Sequence, residues 1–320
     1  MIRLLPIEAS TYVPSPLHSV DRIWPETNCY ADLWIELLNA LGLDPIAALP
    51  FTFSVDFEGD QWQFFKFPLE DLRALYGIDV AEMNPWRGVE HHIAEQLEMG
   101  RLLTVEVDAW YLPDTAGVSY QRDHVKSSIV VNMLDQAGAH MAYFHNGGYH
   151  ELAGEDYQGV FRHGRDNSEL MPPYVELVRL ERLEHPDDDE LLRRTLRLLE
   201  VHLRRRPTSN PIERFRQRFA QDLEWLRGGH LAMFHLYAFA TMRQFGACSE
   251  LAASLCTWLA ERGHPMGEAP AAFTALATSA KAVQFKLARL AAGRTIDLAP
   301  LLEDMQRQWD DAMEIVGQHT

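Results

Sequence analysis

The stretch Trp24-Pro25-Glu26-Thr27-Asn28-Cys29-Tyr30-Ala31-Asp32-Leu33-Trp34-Ile35-Glu36-Leu37-Leu38 organises the first half of this chain. A polar segment containing a proline delivers a single cysteine to the first turn of an amphipathic helix, predicted over residues 29–41. Unpaired N–H groups and the helix dipole at that position favour a thiolate. Cys29 is therefore a candidate nucleophile, although a cysteine inside a helix is more often a small core residue.

The composition is that of a globular protein without a disulfide framework. The chain has 320 residues, of which 47% are hydrophobic and 23% charged, enough for one large domain or two ordinary ones. No apolar run approaches the length of a membrane span, and the first residues lack a signal-peptide pattern, so we expect a cytoplasmic protein without membrane contact. The three cysteines (Cys29, Cys248 and Cys256) form no Cys-x-x-Cys pair, which argues against a thiolate zinc site.

The net charge of −17 is concentrated in the first half of the chain. Residues 1–180 hold 11 Lys and Arg against 27 Asp and Glu, whereas residues 181–320 hold 18 against 19. Nucleic acid is therefore not expected as a partner. Within the second half, residues 193–218 carry nine arginines and only two acidic residues, which makes a local basic window.

Hydrophobic periodicity predicts an α+β domain over residues 1–180 and an all-helical bundle over residues 181–320. In the first domain, strands are expected at residues 51–56, 102–110, 124–134 and 139–145, with a helix at residues 86–99. The last two strands should form a hairpin around a turn at residues 135–138. Helices of the second domain are expected at residues 187–206, 211–227, 230–245, 249–262, 271–292 and 298–317.

The order of these parts is that of a thiol enzyme, with Cys29 on a helix and then His124 at the start of a strand. A thiolate attacks a carbonyl, an imidazole moves the proton, and a third group fixes the imidazole's tautomer. Residues on adjacent antiparallel strands can be neighbours, so His145 and Asn146 are the two candidates for this third group. Asp108, just before the intervening loop, is another candidate for orienting the site or the substrate.

Weaker signals allow other interpretations. A cysteine and a histidine 95 residues apart also occur together by chance. A metal site formed by His124, His145 and His150 is conceivable, but no metal is expected. The aromatic residues between positions 51 and 67 are more typical of a core than of a cofactor box.

Two resemblances add to this interpretation. The first is carried by Asn28-Cys29-Tyr30, the run from Gly100 to Asp108, Tyr111-Leu112-Pro113 and His124. Over about residues 22–160, the chain resembles the N-terminal domain of the butirosin-biosynthesis acyltransferase family. The whole chain also resembles an uncharacterised bacterial family of similar size, whose members are associated with ligases that load amino acids onto carrier proteins. The phrases that carry this second resemblance are Gly59-Asp60-Gln61-Trp62, Val105-Glu106-Val107-Asp108, Leu112-Pro113-Asp114-Thr115, Tyr143-Phe144-His145-Asn146 and Gly154-Glu155-Asp156-Tyr157.

The first resemblance implies a papain-like fold with an appended helical region, and transfer of an acyl group from a carrier-protein thioester to an amine. Cys29 matches the nucleophile and His124 the base. The related enzymes tend to place an aspartate where this chain has His145-Asn146, and the glutamine that often serves the oxyanion is not evident. The backbone N–H of Cys29 with the side chain of Asn28 or Thr27 is expected to stand in for it.

The sequence therefore predicts a cysteine acyltransferase that forms an acyl-Cys29 intermediate from a phosphopantetheine thioester, with His124 as base and Asp108 and Tyr111 near the substrate. The acceptor would be a small-molecule or peptide amine, and no cofactor is expected beyond the phosphopantetheine of the carrier. A cysteine hydrolase (peptidase or amidase) and a non-enzymatic binding protein on a papain-like scaffold are the alternatives. The basic window would attract an acidic carrier protein, unless its arginines form only a solvated helix face. The docking residues expected there are Arg204, Arg205, Arg206, Arg214 and Arg218.

Overall fold

An antiparallel sheet and a set of helices form two compact units in the computed structural model, which describes residues 1–164, 171–228 and 231–318. The first unit comprises Met1–Ser19, Asn28–Pro45 and Pro68–Pro186. The second comprises Val20–Thr27, Ile46–Phe67 and Asp187–Thr320. The α+β class expected from the sequence is confirmed.

The first unit is built on one sheet, in which every pairing between the described strands is antiparallel. Its strands are β1 (Ile2–Arg3), β2 (Asp79–Met83), β3 (Leu102–Asp108), β4 (Lys126–Asp135), β5 (His140–His145), β6 (Gly148–Ala153) and β7 (Val175–Arg179). They are ordered β2-β7-β3-β4-β5-β6, and β1 also pairs with β4. Strand β3 therefore lies in the interior of the sheet, with β4 on one side and β7 on the other.

Four helices belong to this unit: α1 (Cys29–Ala40), α2 (Leu69–Tyr76), α3 (Val89–Glu98) and α4 (Glu155–Val160). Helix α1 begins where predicted, because the Asn28 side chain accepts a hydrogen bond from Ala31 N at 2.9 Å and caps the helix. Its residues from Tyr30 to Leu38 are all buried, and it packs on β4 and β5. The start of α1 is thus held firmly against the sheet.

The helices of the second unit are α5 (Asp188–Arg204), α6 (Pro211–Gly228), α7 (Leu231–Ala238), α8 (Gln244–Glu261), α9 (Ala269–Ala291) and α10 (Ala299–Gln318). The start predicted at residue 230 lies outside the described residues. The break predicted between residues 245 and 249 is wrong, because a π-helical turn at Phe239–Arg243 leads directly into α8. Gly246 allows the Trp24 ring to pack directly on the backbone of α8, since a Cβ at position 246 would lie 2.6 Å from Trp24 Cζ2.

Two other local predictions are wrong. Residues 50–54 form a 3₁₀ helix instead of a strand, and Thr52 Oγ1 closes one of its turns by donating to Leu49 O at 2.8 Å. Strand β4 begins at Lys126, so His124 precedes the strand instead of opening it. Phe51 and Phe53 are both buried within the same short turn, which explains how an alternating pattern arose without a strand.

The aromatic segment before residue 67 clusters with the helices instead of the sheet. The ring centroids of Phe57 and Phe215 lie 5.7 Å apart, and those of Trp62 and Phe245 lie 5.0 Å apart. A boundary at residue 180 therefore separates residues 46–67 from the helices that bury them.

Candidate functional site

A carboxylate–imidazole pair stands at the end of β3. His124 Nδ1 donates a hydrogen bond to Asp108 Oδ2 at 2.6 Å, while Asp108 Oδ1 accepts from Trp110 N at 3.1 Å. The His124 ring also stacks on Trp110, with centroids 4.5 Å apart and planes 11° from parallel. The imidazole is thus fixed by an acid and a ring, which leaves Nε2 as the nitrogen available for proton transfer.

The pair lies on the sheet face that α1 covers. Tyr30 Oη and Thr104 Oγ1 both donate to Glu176 Oε2, at 2.8 and 2.9 Å, so Thr104 points toward α1. Side chains alternate along β3, and Asp108 is four positions beyond Thr104 on the same face. Cys29 and the Asp108–His124 pair therefore belong to one side of the sheet.

A groove of about 540 Å³ opens beside the pair. Asp108, Tyr111 and His124 line it together with Val105 and Val107, whose side chains alternate with Asp108, so the groove extends to the sheet face opposite α1. The predicted base and the two residues predicted near the substrate thus line one cavity. Its position beside an ordered imidazole makes it the candidate substrate site of the first unit.

The Tyr111 wall of this groove depends on a glycine in α4. A Cβ on Gly159 would lie 2.1 Å from Tyr111 Cδ1, far inside any van der Waals contact. The tyrosine ring therefore packs directly on the helix backbone.

Cys29 stands at the start of α1, half-buried, and is not among the residues that line the groove. Its Sγ forms no hydrogen bond to any residue that the structure describes. Cys29 and His124 thus share a sheet face without a hydrogen bond between them. Of the two residues expected to serve the oxyanion, Asn28 uses its Oδ1 as the helix cap, and Thr27 belongs to the second unit, where its carbonyl accepts from Arg243 Nε at 3.1 Å.

His145 and Asn146 do not contact His124 in the manner predicted; Asp108 occupies that role. His145 Nδ1 donates to Asp114 Oδ2 at 2.5 Å, and its Nε2 lies 2.6 Å from Ser127 Oγ. Ser127 is paired with Val107, whose side chain points away from the face of Asp108. The hairpin was predicted, but the faces of its residues follow from a pairing register that turn residues alone do not specify.

Asn146 lies in the two-residue turn between β5 and β6 with a φ of 45°, a left-handed conformation that asparagine tolerates. Asparagine at this position is explained by the turn itself.

The buried chain Ser127–His145–Asp114 has the atom order of a catalytic triad, but its exposure argues for a structural role. His145 is 1% exposed and Asp114 7%. Burial alone would raise the pKa of Asp114, but the hydrogen bonds from His145 and Tyr143 and the charges of His145 and His150 together outweigh it, so that the pKa of this carboxyl lies below its usual value. Tyr143 Oη donates to the other carboxylate oxygen at 2.5 Å. The network links the loop that follows β3 to strand β5.

A second buried cluster was not foreseen from the sequence. His18 lies between two carboxylates of α1, with its Nε2 3.2 Å from Asp32 Oδ1 and its Nδ1 bonded to Glu36. Burial alone would lower the pKa of His18, but the hydrogen bonds and charges of Asp32 and Glu36 raise it to about 9. The signal for this cluster in the sequence is the pair Asp32 and Glu36, which lie one helical turn apart in a largely apolar helix.

The DUF1839 N-terminal domain matches residues 13–180, and the DUF1839 C-terminal domain matches residues 188–318. The chain belongs to the DUF1839 family. The expected resemblance to an uncharacterised family is confirmed at this level, and no curated protein matches the sequence significantly. In this member of DUF1839, Cys29, Asp108 and His124 all fall within the N-terminal match.

The basic window lies within the DUF1839 C-terminal match, and most of its charge is already paired. Arg204 pairs with Glu200, Arg214 with Asp56, and Arg218 with Asp222. The Arg206 guanidinium donates to Leu203 O at 3.2 Å, and Arg205 forms no ion pair within the described part of the chain. The pairing weakens the positive field expected to attract a carrier protein.

The described residues of this DUF1839 protein contain no group of three His, Cys, Asp or Glu arranged to hold a metal ion. None of the helices within residues 1–164, 171–228 and 231–318 is long and apolar enough to cross a membrane.

Proposed function

We propose that this protein is a cysteine-dependent acyltransferase, in which Cys29 carries the acyl group and His124 moves the proton. The observation that carries the proposal is the hydrogen bond of 2.6 Å between Asp108 and His124, on the sheet face covered by the helix that begins at Cys29. Thiol catalysis requires an imidazole whose tautomer is fixed by a third group, and the bond to Asp108 supplies this for His124.

The reaction would run in two steps. His124 Nε2 accepts the proton of the Cys29 thiol, and the thiolate attacks the carbonyl carbon of a thioester. The carbon–sulfur bond of the thioester breaks, and the leaving thiolate takes the proton back from His124. An amine then attacks acyl-Cys29, His124 accepts the amine proton, and the Cys29 thiolate leaves and recovers that proton.

Because Cys29 Sγ and His124 are not hydrogen-bonded in the structure, the proposal requires the two side chains to approach each other when substrate binds. His124 lies before β4, and its side chain is 64% exposed. Asp108 would then act as the orienting group.

The substrate class comes from the resemblance to the butirosin-biosynthesis acyltransferases. On that basis the donor is an acyl or aminoacyl carrier protein, the acceptor is a small-molecule or peptide amine, and the first unit has a papain-like arrangement. A helix with a cysteine at its start, packed on an antiparallel sheet, supports this arrangement. An aminoacyl donor is what the resemblance to a family associated with amino acid:carrier-protein ligases implies.

The test is a transfer assay with a panel of aminoacylated carrier proteins and amines, read by mass spectrometry of the amide product. Cys29→Ala and His124→Ala should abolish transfer, and Asp108→Asn should lower the rate by about 10²-fold or more. His264→Ala, a change in the second unit, is the control. Normal transfer by Cys29→Ala would contradict the mechanism, and loss of thioester without need for an amine would identify a hydrolase instead.

A further inference from the structure

A second cavity, of about 490 Å³, opens at the other end of β3 and is rich in arginine. Arg101, Arg179 and Arg182 line it, together with Asp79 and Glu181. All these residues belong to the first unit, whose sequence is otherwise strongly acidic. Arginines are thus concentrated in one cavity of a unit whose other charges are mostly negative.

The strand register brings two of the arginines side by side. Leu102 of β3 pairs with Val178 of β7, so Arg101 and Arg179 occupy the next position on the two neighbouring strands. Side chains opposite each other on adjacent strands have Cβ atoms about 5 Å apart. Leu177, two positions before Arg179, points to the same face and also lines the cavity.

The carboxylates in the cavity are already engaged. Arg101 Nε donates to Glu181 Oε1 at 2.5 Å, and Asp79 pairs with Arg73. Arg179 lies opposite Asp79 on β2, and its charge also acts on Glu181, but neither Arg179 nor Arg182 forms a salt bridge or a side-chain hydrogen bond within the part of the chain that the structure describes. Three arginines against two carboxylates leave the lining of the cavity with a net positive charge.

Arg182 is also held in place by its backbone. A Cβ on Gly77, the left-handed residue that ends α2 with a φ of 67°, would lie 2.0 Å from Arg182 O. Glu184 N donates to Tyr76 O at 2.9 Å and secures the same segment. The backbone that presents Arg182 is thus fixed before any ligand arrives, which lowers the entropy cost of binding.

Like charges directly opposite each other on neighbouring strands destabilise a sheet. A bound anion removes this repulsion and replaces it with attraction. Guanidinium groups present paired donors that match the oxygens of a phosphate group. We propose that the Arg101–Arg179–Arg182 cavity binds a phosphate group, either free or as a phosphate ester. The proposal is independent of acyl transfer, since it concerns the opposite end of β3.

The experiment is a titration of the full chain with inorganic pyrophosphate at constant ionic strength, followed by calorimetry and by thermal unfolding. The wild type should show saturable binding and a rise in Tm. Arg179→Gln and Arg182→Gln should each weaken binding by about tenfold, and the double variant should lose it. Arg122→Gln removes the same charge from an exposed arginine of the first unit outside the cavity, and it should bind like the wild type.

The double variant should fold normally, because neither side chain forms a salt bridge or a side-chain hydrogen bond with a described residue; circular dichroism and the Tm without ligand check this. A comparison of 4′-phosphopantetheine with inorganic phosphate separates the two sources, and pantetheine is the control without a phosphate group. Tighter binding of the phosphorylated compound than of inorganic phosphate indicates an ester ligand, and the reverse order indicates free phosphate. The proposal is overturned if the wild type shows no saturable binding, or if the double variant and Arg122→Gln bind equally well.

Discussion

His18 is buried between two carboxylates of α1, and its positive charge stabilises that arrangement. The pKa of His18 is raised to about 9 from an ordinary value near 6.5. A raised pKa in the folded state means that the stabilisation is complete below the unfolded pKa and is lost as the pH rises through the folded pKa. The window for this loss is therefore about pH 6.5 to pH 9.

We expect the free energy of unfolding of the wild type to fall by roughly 3 kcal/mol across this window, from the size of the pKa shift. Urea unfolding at a series of pH values measures it. His18→Gln should be less stable at neutral pH, because Asp32 and Glu36 lose their buried counter-charge, and it should lack this pH dependence. Equal slopes for the two proteins would show that His18 is not the titrating group.

The hydrogen bond between Asp114 and His145 contributes stability that is lost at low pH, whereas the contribution of His18 is lost at high pH. The pKa of Asp114 is lowered, so its contribution is present above the unfolded pKa and is lost as the pH falls through the folded one. His145→Ala should destabilise the protein by about 1–3 kcal/mol, since it leaves a buried carboxylate without its donor. It should also speed hydrogen exchange in residues 109–125.

Asn146→Gly is the matched control for His145→Ala. Asn146 already has a φ of 45°, which glycine adopts freely. The free energy of unfolding of Asn146→Gly should therefore stay within about 0.5 kcal/mol of the wild-type value. If His145→Ala and Asn146→Gly were equally stable, the buried network would not fasten the loop.

Helix α4 and the 3₁₀ turn Ala109–Tyr111 meet at Gly159. Gly159→Ala should cost about 1–3 kcal/mol and displace the Tyr111 ring into the groove, because no space exists for the added methyl. Gly228→Ala is the control, because a Cβ on Gly228, also a helical glycine, meets nothing within 4 Å. It should be neutral or slightly stabilising. Thermal unfolding of the two variants compares them, and equal Tm values would contradict the packing described for Gly159.

Helix α1 follows from local sequence alone, because the cap at Asn28 and the apolar spacing lie within its own residues. The bond between His124 and Asp108 does not, because it joins residues 16 apart across a loop whose path is set by tertiary packing. Asp108 was one of the candidates, yet the hairpin favoured His145 and Asn146. Only the pairing of Ser127 with Val107 reveals that His145 faces the other side.

On the scale of the whole molecule, the two units interleave along the sequence. Residues 46–67 precede most of the sheet in the chain but pack with the helices. Sequence periodicity describes each element and not its neighbours, so it carries no signal for this packing. The contact of Phe53 with Phe273, at 5.5 Å between ring centroids, joins positions 220 apart and has no local signal.

A fragment of residues 1–180 should therefore fail to bury its aromatic segment. Phe53, Phe57 and Trp62 would lose the helical residues against which they pack and would be exposed to water. We expect the fragment to bind a hydrophobic dye and to aggregate, whereas the full chain should not. A monomeric fragment with the near-ultraviolet circular dichroism of a packed core would contradict the division into units.

The central claim is that Cys29 forms an acyl intermediate with the help of His124 and Asp108. It is tested most directly by incubating the protein, without an amine, with a panel of acyl and aminoacyl thioesters of N-acetylcysteamine, and by mapping the adduct with mass spectrometry. We predict one acyl group on Cys29, absent from Cys29→Ala and formed at least tenfold more slowly in His124→Ala. Cys248 and Cys256 should stay unmodified, since burial raises the pKa of both thiols, that of Cys256 to about 12. Absence of an adduct across the panel, or acylation of Cys29 at the same rate without His124, would contradict the account.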